Sequence, residues 1–87
     1  MSTETIKLIK GIMSPYQNKK KDMRAVRSII RQIHENCPEV KWATFKPYFG
    51  VHPEENNQDL SIVVEDRSGE KKMFSVTTKL GVGCKSI

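Results

Sequence analysis

Six cations fall between positions 19 and 31: Lys19, Lys20 and Lys21 in a run, then Arg24, Arg27 and Arg31, with Asp22 the one acid among them. Residues three and four apart share a helix face, so a helix here lines the guanidinium groups into a ridge behind the lysines, with Ser28 and Glu35 on the same side. The chemistry open to such a ridge is phosphate neutralisation. Each Lys or Arg set against a phosphate displaces condensed counterions, and Arg adds a two-pronged hydrogen-bonding geometry that Lys lacks. A charged face that serves solubility alone usually mixes signs, and the scarcity of acids here favours a polyanionic partner. The expected partner is nucleic acid, RNA ahead of DNA, with Lys41 and Lys46 extending the surface.

Trp42, Phe45, Tyr48 and Phe49 follow closely and are interleaved with those two lysines. Aromatic rings beside cations can stack unpaired bases, which points to single-stranded or looped RNA. A chain with six aromatics in all usually spends the large ones inside. Trp42 and Phe45 are therefore expected in the core, and Tyr48, beside Pro47, is the base-stacking candidate. No RNP-type aromatic strand and no GXXG loop is present, so the familiar RNA-binding modules are not matched.

Other reactive residues carry weaker signals. His34 and His52, the two histidines, would suit a small ribonuclease as general base and acid, but their spacing specifies nothing and both fall at element edges. With Cys37 and Cys84 they total four zinc-ligand types, yet only His34-x-x-Cys37 has ligand-like spacing, and Cys37 lies on an apolar stripe where a buried thiol is expected. Glu54-Glu55 and Glu65-Asp66 are read as solvated ends of a loop and a hairpin. Phosphate loop, nucleophile elbow and dinucleotide fingerprint are all missing. The expectation is a non-enzymatic binding protein without metal or cofactor.

The elements that must carry these residues follow from periodicity. Ile6, Ile9 and Met13 predict a helix over 3–13, capped by Ser2 or Thr3 and ended by Pro15, with a turn over 14–18. Val26, Ile29, Ile30, Ile33 and Cys37 make one apolar stripe, predicting a second helix over 22–36 with Asp22 as its N-cap. Residues 40–45 are β-branched and aromatic and read as a strand, although Trp42, Phe45 and Phe49 also fit a short helix before Pro47. Residues 47–59 form the longest loop. Residues 60–64 and 72–77 are strands joined through Asp66-Arg67-Ser68-Gly69, where Gly69 supplies the positive φ of a tight turn. The predicted fold is α+β, order ααβββ, with two N-terminal helices on a three-stranded antiparallel sheet.

At 87 residues, 37% apolar and 29% charged, the chain fits one small domain spanning residues 1–87, with 81–87 expected as a flexible tail. The net charge of +5 is uneven: residues 1–46 hold ten Lys and Arg against four acids, and residues 47–87 hold five against six. Two cysteines are too few for a disulfide scaffold, which suggests a cytoplasmic protein. No stretch approaches the ~20 apolar residues of a membrane span, and the start, Met1-Ser2-Thr3-Glu4, lacks the basic region of a secretory signal. Cys84-Lys85-Ser86-Ile87 places a cysteine as a prenylation box does, but Lys and Ser stand where aliphatic residues belong. By analogy of size, the rival to nucleic-acid binding is a protein-binding inhibitor or antitoxin-like factor, of phage or plasmid type, that neutralises a nuclease or ribonucleoprotein. An exposed sheet edge also leaves room for a homodimer.

Overall fold

The Ser2 hydroxyl accepts the amide of Thr5 and opens the first helix, α1 (Thr3–Met13), with Glu4 in its first turn and Lys10 in its last, each suited to the helix dipole. Ile9 and Met13 are fully buried along its inner stripe. Pro15 cannot continue the α-helical ladder, and residues Ser14–Asn18 tighten into a 3-10 turn. The second helix, α2 (Met23–Asn36), starts where the Asp22 carboxylate accepts the Ala25 amide at 3.0 Å. Val26, Ile29 and Ile33 seal its inner face, and Cys37 is buried just beyond its last turn. Both helices match the periodicity of the chain, down to the capping residues.

The computed structural model describes residues 1–45 and 59–87. The expected loop over 47–59 lies, but for Asp59, outside the described residues. Among the described residues the sheet has four strands: β1 (Val40–Phe45), β2 (Asp59–Asp66), β3 (Lys71–Thr77) and β4 (Gly81–Ser86). All pair antiparallel in the order β1-β2-β3-β4. The three-stranded expectation is thus corrected by one strand, formed by the segment expected to be a loose tail. Two glycines made 81–87 look unstructured, but Gly81 takes φ 75° to leave the turn, and Val82 and Cys84 then lean on the core while the backbone pairs with β3. Pairing to a neighbour, and not local composition, makes this strand.

The turn between β2 and β3 uses Gly69 as expected, but Asp66, expected as a solvated end, is buried because its carboxylate organises the turn. Asp66 accepts hydrogen bonds from the Ser68 amide, the Ser68 hydroxyl and the Glu70 amide, and Gly69 takes φ 91°. The Met1 amino group also lies 3.0 Å from the Asp66 carboxylate.

Both helices lie on one face of the sheet, α2 against β1 and α1 against β3 and β4. Leu60, Ile62 and Val64 of β2 and Phe74 and Val76 of β3 point into that layer and complete the core. The first strand does not alternate simply. Val40 pairs with Asp66 but Trp42 pairs with Glu65, so Lys41 is an extra residue, a β-bulge. One added residue inverts every later side chain: Ala43 and Phe45 turn inward to the core, and Trp42 turns outward. Phe45 joins the core as expected. Trp42 does not, and the bulge is the reason.

Candidate nucleic-acid interface

The amphipathic pattern that buries Val26, Ile29 and Ile33 leaves the other side of α2 in solvent, and Arg24, Arg27 and Arg31 are all exposed there. They span about 10 Å along the axis at ~1.5 Å per residue. Arg31 lies 3.7 Å from Glu35, a pair one helical turn apart in which both side chains are more than half exposed. Such pairs are screened by water and contribute little, so a phosphate can displace the carboxylate. Arg24 and Arg27 have no ion-pair partner among the described residues. Asp22, the single acid in the basic run, spends its carboxylate on the helix start. The Ala25 amide, with lesser help from the Arg24 amide and from Lys20, holds its pKa below the ordinary carboxylate range. The ridge therefore keeps its charge.

Its lysines divide. Lys19 and Lys20 are exposed just ahead of the helix, and the Lys19 ammonium stands 5.5 Å from the centre of the Tyr16 ring. Lys21 is buried, with 7% of its surface exposed. Its ammonium donates to the Gln17 carbonyl at 2.9 Å, the Lys19 carbonyl at 3.2 Å and the Thr78 hydroxyl at 3.2 Å. It therefore leaves the set of phosphate-binding residues and becomes a clamp. Beside it the Gln17 side-chain amide donates to the Thr78 carbonyl at 3.1 Å, so the link between helices is tied to the β3–β4 turn. This fixes the backbone from which Lys19 and Lys20 project.

Lys41 is also displaced from the expected surface. It is exposed, and its ammonium lies 3.8 Å from Glu65, on the sheet face opposite the helices. Lys46 and Tyr48 fall outside the described residues, as do His52 and Glu54-Glu55. Sequence reasoning missed Tyr16, whose hydroxyl donates to Ser28 at 2.9 Å while the Gln32 amide donates to the same oxygen at 3.0 Å. These contacts brace the 3-10 turn against the flank of α2. A tyrosine next to Pro15 gave no periodic signal by which to find it.

His34 is exposed in the last turn of α2, whereas Cys37 is buried, so the pair with ligand-like spacing does not converge. Burial, helped by the Glu39 carboxylate, pushes the Cys37 thiol up and keeps it protonated. Cys84 is half-buried within β4, and both thiols are free. No group of three metal-ligating side chains occurs among the described residues. No helix among them is long and apolar enough to cross a membrane. Comparison with known proteins finds no matching family model, no similar curated protein and no similar solved structure.

Proposed function

We propose that the protein binds nucleic acid, RNA in preference to DNA, through a ridge of Lys19, Lys20, Arg24, Arg27 and Arg31, and acts as a non-enzymatic regulator or adaptor. The observation that carries this reading is the solvent side of α2, where three arginines stand in line with only the loosely held Glu35 among them. Arginines in such a row meet phosphates before bases, so recognition follows the backbone and not the sequence.

Binding is measured by fluorescence anisotropy of a labelled single-stranded RNA at salt concentrations between about 50 and 200 mM. If the five ridge cations each engage a phosphate, log K falls against log salt with a slope of about −3.5. The variant carrying Arg24→Glu, Arg27→Glu and Arg31→Glu, checked for helicity by circular dichroism, should lose most of this affinity and most of the slope. A folded variant that binds RNA as the parent does overturns the proposal.

A further inference from the structure

We propose that the sheet face turned away from the helices is a second nucleic-acid surface, one that takes an unpaired strand with a base stacked on Trp42 and phosphates on Lys71 and Lys85. The inference rests on the reading above for its class of ligand, but it uses residues on the opposite side of the molecule.

The strand register lays this face out in rows. Trp42, Glu65 and Lys71 form the first, and Thr44, Val63, Met73 and Lys85 the second. Trp42, Val63 and Met73 are each half-buried, and none belongs to the core or packs on it. The only tryptophan of the chain thus lies outside its core, in a small protein where apolar mass is scarce. The Lys71 ammonium stands 6.0 Å from the centre of its ring. An aromatic surface beside a cation suits a nucleobase with its phosphate.

Charge narrows the occupant. The ionisable residues of this face among those described are Lys41, Lys71 and Lys85 against Glu65, with Asp59 at the far end of β2. Glu65 is shared, 3.8 Å from Lys41 and 3.8 Å from Lys71, and both lysines are at least half exposed. Contacts this long leave the exposed ammonium groups able to turn to a phosphate, while Glu65, whose side chain is only 14% exposed, stays in place. A second copy of the chain laid on the face would set lysines against lysines. A duplex keeps its bases stacked on one another, so an unpaired strand is the ligand that offers both a free ring and a charge.

Because Trp42 is the sole tryptophan, its emission reports the site without a label. The full chain is titrated with oligouridine and oligothymidine of about twelve nucleotides, and with a duplex of equal length. Saturable quenching by both single strands and little by the duplex is expected. In anisotropy assays made in the triple arginine background, where the ridge does not mask the sheet face, Trp42→Leu should weaken single-strand binding about tenfold, within the range for loss of one base–aromatic stack, and Trp42→Phe should restore most of it. Lys71→Gln with Lys85→Gln leaves the ring in place and should lower the salt slope by about 1.4. A single strand that binds without changing the emission, with Trp42→Leu binding as the parent does, overturns this inference and leaves the ridge standing. Quenching that persists in the triple arginine variant supports the sheet face as a site independent of the ridge, and quenching lost there overturns it. Duplex quenching as strong as single-strand quenching, or an emission change with protein concentration alone, overturns the sheet-face inference.

Discussion

Lys21 shows how far a residue's role depends on its neighbours. By position it belongs to the basic run, yet its ammonium is spent on two carbonyls and a hydroxyl inside the fold. Lys21→Met should therefore cost about 1.5–3 kcal/mol in urea unfolding, as for hydrogen bonds to a charged group, while changing the salt dependence of RNA binding by less than one phosphate contact. The reverse pattern, full stability with a reduced slope, would return Lys21 to the ridge. Three carboxylates answer to the same logic in acid. Glu39 is held low chiefly by the Thr5 hydroxyl and then by Ser2, Asp66 by the Ser68 hydroxyl, and Asp22 by the Ala25 amide. A carboxylate whose folded pKa lies below its unfolded value adds stability above the unfolded value and loses it as pH falls through the folded one. The urea midpoint should stay level from about pH 7 to pH 5 and drop below about pH 4, where these groups protonate. In the Glu39→Gln variant that acid-side fall should be shallower. A midpoint insensitive to pH in this window would mean the three carboxylates are not tied to the folded state.

At the level of elements, the helices were legible in the sequence because their stabilising contacts recur along the chain itself. Val26, Ile29 and Ile33 announce a buried stripe by spacing alone, and the arginines opposite them are exposed by the same geometry. Ile29 is fully buried at the middle of that stripe, so Ile29→Ala should destabilise the fold by about 2–5 kcal/mol. Since the ridge exists only while α2 is docked, RNA affinity should fall at the temperature where the variant unfolds and not before it. The hairpin turn was equally legible. Gly69→Ala, at φ 91°, should cost about 1–2 kcal/mol, read as a lowered urea midpoint. The sheet was harder to read because what defines it is pairing between segments. β4 carries two glycines and has little strand character until β3 is beside it, and the β1 bulge leaves no mark in a stretch that otherwise alternates. That single extra residue moved Trp42 from the expected core to the outer face, whereas Lys41, next to the inward Val40, faces away from the helices by simple alternation.

For the whole molecule, the consequence is a body with two cationic surfaces back to back. The helical layer carries Lys19, Lys20 and the three arginines, and the far side of the sheet carries Lys41, Lys71 and Lys85 around Trp42. The described part of the chain measures 36 × 24 × 21 Å, so the layers between these surfaces hold them well beyond one Debye length of ~8–10 Å at physiological salt. Sites so far apart act independently on any ligand too short to reach both. A single-stranded oligonucleotide of about four to six nucleotides, long enough for one surface, should therefore bind with a stoichiometry of two per chain. The two events should differ in kind. The ridge, with five cations, should show a slope of about −3.5 against log salt and leave tryptophan emission unchanged, whereas the sheet face, with two phosphate contacts, should show about −1.4 and quench it. Raising the salt ought then to silence the ridge first and leave a fluorescent, salt-tolerant site occupied. Calorimetric titration at low and high salt, read alongside emission, checks this directly, and one binding event with one slope would mean that only one of the two faces meets nucleic acid.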